Sequence, residues 1–155
     1  MPGSGKSTLG ILLAKKIHYG YIDTDSVIVA KTGRLLTELI DELGNEGFLE
    51  LEAQVNSSLK ASGCVISTGG SAIEVVNALR EAGAEVLGIA SIFTYGMAKG
   101  VKRLEEANVK NISLSNFDAI VEVAAEEGYI KKEDIARLIA FRNNPDDESW
   151  IGGTK

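Results

Sequence analysis

The sequence has few of the residues that mark several large classes of protein. Of its 155 residues, one is cysteine, one is histidine and two are proline, and 16 basic residues face 22 acidic ones. A single cysteine, Cys64, excludes an internal disulfide framework and fits the reducing cytoplasm. The net charge of −6 disfavours nucleic acid and anionic membranes as partners. No apolar run approaches the roughly 20 residues that span a bilayer. We therefore expect a cytoplasmic protein, and the sequence leaves its oligomeric state open.

Short apolar runs alternate with longer amphipathic stretches along the chain. This alternation predicts an α/β fold of three layers, in which helices cover both faces of a mostly parallel sheet of about four strands. The length favours a single domain, residues 1–155. Because crossover connections are short and right-handed, we expect the second and third strands to be direct neighbours. The predicted strands are Tyr19–Asp23, Cys64–Thr68, Val86–Phe93 and Asn111–Leu114; the main predicted helices are Lys6–Ile17, Leu35–Leu43, Phe48–Leu59, Ser71–Ala82, Met97–Ala107, Asn116–Glu127 and Lys132–Arg142.

A glycine-rich stretch stands directly before the first predicted helix. It fits the end of a P-loop, G-x-x-x-x-G-K-[ST], in which backbone N–H groups at a helix N-terminus cradle phosphate oxygens. Lys6 would then neutralise phosphate charge during catalysis, and Ser7 would offer its hydroxyl to Mg²⁺. The alternative is a glycine-rich lead into an ordinary helix. The motif's first glycine would precede Met1, so we expect a loosely organised loop and impaired catalysis. The predicted site for ATP comprises Gly3, Ser4, Gly5, Lys6, Ser7 and Thr8.

Two carboxylates stand where the first predicted strand ends: Asp23 is its last residue, and Asp25 follows two positions later. Strand alternation would turn both to the same side, where one could hold a metal ion and the other could contact a hydroxyl group. The alternative is that the pair caps the N-terminus of a helix over residues 26–31.

Residues 1 to about 73 resemble the shikimate kinase family of small-molecule kinases. The resemblance implies that Asp23 helps to hold Mg²⁺, that Asp25 contacts the acceptor hydroxyl, and that Gly69 and Gly70 approach the acceptor. Leu49 stands where the family has an arginine for the substrate carboxylate, which argues against shikimate itself, and Ser71 replaces a third glycine. The motifs that carry the resemblance are Gly3–Thr8, Tyr21–Asp25, Lys31–Arg34, Gly47-Phe48 with Glu52, and Val65–Gly70.

Residues from about 64 to 150 resemble the C-terminal part of orotate phosphoribosyltransferase. The resemblance implies that a loop formed by Thr68, Gly69, Gly70 and Ser71 binds the 5′-phosphate of phosphoribosyl pyrophosphate, which is used with Mg²⁺. Gly63 and Cys64 stand where that family has two acidic residues for the ribose hydroxyls. The matching stretches are Val65–Ser71, Ala78–Val86, Ile92–Gly96, Leu114–Asp118 and Glu127–Ile130.

The two resemblances overlap at Val65–Ile73, where both families have a strand, a glycine turn and a helix. A junction there would keep the local geometry, so we interpret the chain as a chimera with a kinase-like half, residues 1–63, and a phosphoribosyltransferase-like half, residues 64–155. The leading hypothesis is a P-loop phosphotransferase that uses ATP and Mg²⁺ to phosphorylate a small hydroxylated metabolite. The alternatives are an orotate phosphoribosyltransferase region of pyrimidine biosynthesis and a non-catalytic, phosphate-binding chimera.

Overall fold

A computed structural model of the chain describes residues 5–68 and 71–146. The chain forms two compact units, Met1–Val86 and Leu87–Lys155, which we call the N-terminal and C-terminal units. Helices pack around two small parallel sheets. The helices of the described residues are too short or too polar to cross a membrane.

The N-terminal unit is built around the parallel pair β1 and β2. Gly20 pairs with Cys64 at one end of the register, and Asp23 pairs with Ser67 at the other. Helix α3 is kinked at Gly44, whose φ of 68° lies outside the helical region, so the two helices predicted for this stretch are its two arms. The elements are α1 (Lys6–Ile17), β1 (Gly20–Asp23), α2 (Thr24–Thr32), α3 (Leu36–Ser57), β2 (Cys64–Ser67) and α4 (Ala72–Glu81).

The core of this unit lies where α2 meets both arms of α3. Ile28 of α2 is fully buried, and it packs with Leu39 and Val55 of α3. Phe48 and Leu51 pack against the same cluster from the second arm of α3. Burial of such side chains contributes roughly 1.5–3 kcal/mol each. This packing holds α2, and therefore the end of β1 that leads into it, at a fixed position.

The C-terminal unit repeats the strand–helix–strand pattern. Strands β3 and β4 pair in parallel from Ile89 opposite Asn111 to Thr94 opposite Asn116. Asn116 also caps the next helix, because its Oδ1 accepts a hydrogen bond of 2.9 Å from Ala119 N. The elements are β3 (Ile89–Thr94), α5 (Ala98–Glu106), β4 (Asn111–Asn116), α6 (Phe117–Glu126), a 3₁₀ helix (Lys132–Asp134) and α7 (Ile135–Asn143).

The predicted α/β class with parallel strands is confirmed, but the prediction of one four-stranded sheet is wrong. The described strands form two two-stranded sheets, β1 with β2 and β3 with β4, so β2 is not paired with β3. Each pair is closed by its own crossover, through α2 and α3 or through α5. Residues 84–88, which follow α4, have no regular secondary structure, and β3 begins at Ile89 rather than at the predicted Val86. The residues directly after α4 therefore do not form a strand that could pair with β2 and complete a β2–α4–β3 crossover.

Candidate functional site

Asp23, the last residue of β1, is the centre of a hydrogen-bond network. Its Oδ2 accepts a hydrogen bond of 3.0 Å from Ser7 Oγ and one of 3.2 Å from Tyr21 Oη. Its Oδ1 accepts from the backbone N–H of Asp25, at 3.1 Å, and from that of Ser26, at 3.4 Å. One oxygen therefore caps α2 while the other faces the start of α1. The capping and metal-holding interpretations of Asp23 are compatible in this geometry.

Asp25 does not lie on the strand, so the alternation that was expected to align it with Asp23 does not apply. Strand β1 ends at Asp23 and α2 begins at Thr24, which places Asp25 in the first turn of the helix. Thr24, only 1% exposed, donates from Oγ1 to the carbonyl oxygen of Ser67 at 3.1 Å. This bond ties the start of α2 to the end of β2 and so fixes the position of Asp25 relative to the loop after β2.

The described part of the predicted P-loop forms the N-terminus of α1. Gly5 precedes the helix with a φ of 81°, a left-handed conformation that glycine adopts without steric cost. Lys6, Ser7 and Thr8 make up the first turn, and the amides of a helix's first turn lack acceptors within the helix. Gly3 and Ser4 lie outside the described residues. An anion at this end would meet backbone N–H groups and the positive pole of the helix.

Ser7 and Asp23 together offer a hydroxyl and a carboxylate, which are the hard oxygen ligands that Mg²⁺ prefers. A pair of protein ligands suits this ion, because it usually takes one or two protein groups and completes its shell with water and substrate phosphates. The residues present therefore fit the ion that the sequence predicts. Within residues 5–68 and 71–146, no group of three or more His, Cys, Asp or Glu side chains could hold a metal.

The loop after β2 is the second predicted phosphate site. Its outer residues are described: Thr68 follows the strand, and Ser71 stands at the N-cap of α4 with an extended conformation. Gly69 and Gly70 lie outside the described residues. The strand–loop–helix arrangement that both resemblances imply is therefore present, and its role in binding an acceptor or a sugar phosphate stays a prediction.

A small cavity lies beside this loop, between α3 and α4. Burial raises the pKa of the Glu52 carboxyl, and the negative charges of Asp25 and Glu74 raise that pKa further. Leu49, in the position where an arginine was expected, contributes an apolar side chain to the same wall. The cavity lining is therefore apolar and acidic. It consists of Leu49, Glu52, Ala53, Asn56, Ser71, Glu74 and Val75.

The C-terminal unit carries an aromatic cluster where β3 and β4 end. The Tyr95 ring packs edge-on against Phe93, with centroids 5.0 Å apart, and lies 5.9 Å from the Phe117 ring. Arg142 of α7 forms an ion pair of 3.1 Å with Asp118 beside this cluster. Ligands of parallel sheets bind at this end of the strands, so Tyr95 is a candidate for contact with a ligand.

Gly63 and Cys64 lie at the start of β2, whereas the predicted phosphate loop follows its end. Ser67 lies three positions after Cys64 along the strand, a distance of roughly 10 Å. Gly63 has a φ of 59°, which disfavours most side chains. A carboxylate at position 63 would therefore strain the start of the strand.

Comparison with known proteins relates the two parts of the chain to different enzymes. Residues 2–85 match the family model for shikimate kinase. The chain belongs to the shikimate kinase family. The matched residues coincide with the N-terminal unit, Met1–Val86, so the kinase-like sequence folds as one compact unit. The match extends past Ile73, the predicted limit, and takes in α4.

The C-terminal part of this shikimate kinase relative is similar to a different enzyme. Over 87 residues it is 58% identical to the orotate phosphoribosyltransferase of Bacillus cereus, which covers 56% of the chain and 41% of that protein. It is 55% identical over 86 residues to the enzyme of Listeria innocua, which covers 56% of the chain and 40% of that protein. The chain thus spans about two fifths of the length of these curated relatives. The interpretation as a two-part chimera is confirmed.

Several residues of the site were not among the sequence predictions. Tyr21 lies two residues before Asp23 on the same strand, so strand alternation could have indicated that their side chains meet. For Thr24, the only indication in the sequence was its position between the two aspartates. Asn56 and Glu74 are brought to one cavity by the packing of α3 against α4, for which the sequence contains no local signal.

Proposed function

We propose that the N-terminal unit binds Mg·ATP and transfers a phosphoryl group to a small hydroxylated metabolite. The observation that carries this proposal is the hydrogen bond of 3.0 Å between Ser7 Oγ and Asp23 Oδ2, which joins residues 16 positions apart. These are the two side chains predicted to hold Mg²⁺. The match of residues 2–85 to the shikimate kinase family supports the same activity.

In this proposal the first turn of α1 binds the nucleotide phosphates through backbone N–H groups, and Lys6 neutralises their negative charge. Ser7 and Asp23 hold Mg²⁺, which supplies charge neutralisation on the phosphoryl oxygens when bound. Asp25 accepts a hydrogen bond from the acceptor hydroxyl and orients it. Leu49 has no charge with which to bind a carboxylate, so we do not expect shikimate to be the acceptor. We assign the activity to the cytoplasm, as the single cysteine predicts.

Isothermal titration of the full chain with Mg·ATP tests the proposal. We expect weak binding that Lys6→Ala reduces by about tenfold or more, because a charge-assisted contact with phosphate contributes roughly 1.5–3 kcal/mol. Lys15→Ala is the matched control, since Lys15 lies in the last turn of the same helix. Equal binding by the Lys6 variant and the parent chain would contradict the proposal.

A second candidate function is phosphoribosyl transfer, favoured by the 58% identity to orotate phosphoribosyltransferase over 87 residues. It would use Thr68 and Ser71 at the sugar phosphate and would not depend on Lys6. We rank it below the kinase activity because Gly63 and Cys64 provide no carboxylate for the ribose hydroxyls. Production of orotidine monophosphate from orotate and phosphoribosyl pyrophosphate by the Lys6→Ala variant would reverse this ranking.

A further inference from the structure

Tyr21 belongs to the candidate site, but the proposed function gives it no role. It lies two positions before Asp23 on β1, so the two side chains leave the same face of the strand. Its hydroxyl donates a hydrogen bond of 3.2 Å to Asp23 Oδ2, the oxygen that also accepts from Ser7. Tyr21 is partly buried, whereas Ser7 is exposed. Of the two side-chain donors to this oxygen, Tyr21 is therefore the one better shielded from competing water.

Helix α1 meets this pair of β1 residues at two points. The Tyr21 ring packs so closely against Gly10 that a Cβ at this glycine would lie 2.6 Å from the ring's Cε2. Gly10 follows Ser7 by three residues and so lies on the same side of α1, where Ser7 bonds to Asp23. The ring is thus fixed by packing, and its hydroxyl is directed at the carboxylate by more than the hydrogen bond itself.

The separation of the two predicted ligand oxygens suits one small cation. Ser7 Oγ and Asp23 Oδ2 are 3.0 Å apart. Two ligands at adjacent corners of an octahedron with bonds of about 2.0–2.1 Å, the geometry that Mg²⁺ requires, are separated by about 2.9 Å. The other oxygen of Asp23, Oδ1, is already used by the N–H groups of Asp25 and Ser26. If Ser7 turned its lone pairs to a cation, Tyr21 would still donate to Oδ2.

We infer that Tyr21 is a positioning residue, whose hydroxyl holds Asp23 Oδ2 at the distance from Ser7 Oγ that suits a bound divalent cation. The inference deepens the proposed kinase function and rests on it for the identity of the cation. Carboxylates that bind metals are usually hydrogen-bonded themselves, and loss of such a partner typically lowers metal affinity about 10–100-fold. Tyr21 acts through Asp23, so it needs no contact of its own with the cation or the nucleotide.

The substitution Tyr21→Phe tests the inference, because it keeps the ring against Gly10 and removes only the hydroxyl. Binding of ATP to the full chain is measured by NMR titration, once with Mg²⁺ and once with a chelator. The ratio of the two affinities reports the part of binding that depends on the metal. We expect this ratio to fall by about tenfold in Tyr21→Phe, while binding of metal-free ATP hardly changes. A purely structural role would weaken both kinds of binding together and leave the ratio unchanged.

Tyr19→Phe is the matched control, because it makes the same chemical change at an exposed residue directly before β1. It should leave the ratio as it is in the parent chain. A second control uses the Asp23→Asn chain, in which adding Tyr21→Phe should lower the ratio no further, because Tyr21 acts through the Asp23 carboxylate.

A measurement without nucleotide separates this inference from the proposed function. In the free chain, the NMR resonance of the Asp23 carboxyl carbon should shift in Tyr21→Phe but not in Tyr19→Phe. An unchanged resonance in Tyr21→Phe, or an affinity ratio that stays the same or rises, would overturn the inference and leave the kinase function standing. Absence of Mg·ATP binding by the parent chain would instead contradict the kinase function, and with it the role of Tyr21 toward the metal.

Discussion

The two units use the same strand–helix–strand pattern for different kinds of polar contact. In the N-terminal unit, hydrogen bonds join the ends of elements: Ser7 of α1 to Asp23 of β1, and Thr24 of α2 to Ser67 of β2. In the C-terminal unit, Ser91 of β3 bonds across the sheet to a residue of β4, Asn111, at 3.2 Å. Contacts of the first kind bring side chains together where ligands of parallel sheets bind. The same architecture can therefore carry a site in one unit and mainly join strands in the other.

The largest difference between the two units should appear in Mg·ATP binding when one carboxylate is removed from each unit. Asp23→Asn keeps an oxygen that can cap α2 but loses the charge that would bind Mg²⁺, so we expect at least about tenfold weaker Mg·ATP binding and stability within about 0.5 kcal/mol of the parent. Asp23→Ala should lose binding and also about 1 kcal/mol of cap energy. Titration calorimetry and urea unfolding measure the two effects separately.

Asp118→Asn is the corresponding change in the C-terminal unit. It weakens the partly exposed ion pair with Arg142, which contributes at most about 1 kcal/mol, and should leave nucleotide binding unchanged. If Asp118→Asn reduced Mg·ATP binding as much as Asp23→Asn does, the functional contrast between the units would be wrong.

Replacing either of two helical glycines by alanine should change the free energy of unfolding, but in opposite directions. A Cβ on Gly10 of α1 would lie 2.6 Å from Cε2 of Tyr21. Gly10→Ala must therefore displace the Tyr21 ring, whose hydroxyl donates a hydrogen bond to Asp23. We expect a loss of roughly 1–3 kcal/mol from overpacking. A Cβ on Gly100 of α5 would meet no atom within 4 Å, so Gly100→Ala should gain about 0.5–1 kcal/mol from helix propensity. Urea unfolding of both variants checks the signs, and stabilisation by Gly10→Ala would refute the close packing at Tyr21.

The sequence predicted the bounds of individual helices and strands well, but it did not predict which distant side chains lie close together in the fold. The first helix, Lys6–Ile17, has the predicted bounds, because a glycine precedes it and its apolar residues recur at helical spacing. Strand alternation was extended from Asp23 to Asp25, although the predicted strand and β1 both end at Asp23, because capping by Asp23 was treated as an alternative to metal binding rather than as a second role. The division into two sheets and the meeting of Glu52 with Glu74 depend on which helices pack together. Neither strand alternation nor helical periodicity contains that information.

The buried hydroxyl of Thr24 should contribute more than a half-buried hydroxyl of the other sheet. Thr24→Val keeps the shape of the side chain but removes the donor to the carbonyl oxygen of Ser67, so we expect a loss of about 1–3 kcal/mol. Ser91→Ala should cost about 1 kcal/mol or less, because Ser91 is partly exposed. Equal losses in urea unfolding would argue that strand-end contacts have no special weight in the N-terminal unit.

The smallest expected effect is a pH-dependent gain of stability in Glu52→Gln. In strong acid Glu52 is protonated in the folded and the unfolded chain, so replacing it changes little. As the pH rises past the ordinary carboxyl range, the unfolded chain releases this proton first, because burial and the charges of Asp25 and Glu74 raise the folded-state pKa. The parent chain therefore loses stability until the pH passes that raised pKa, and the loss persists above it. Glu52→Gln avoids this loss.

We accordingly expect Glu52→Gln to unfold at a higher urea concentration than the parent at about pH 7.5, with the difference disappearing near about pH 3.5. Glu50→Gln, an exposed position on the same helix, should show almost no difference at either pH. A Glu52→Gln variant less stable than the parent at neutral pH would instead mean that Glu52 has a favourable partner in the folded chain, which would contradict the raised pKa of its carboxyl.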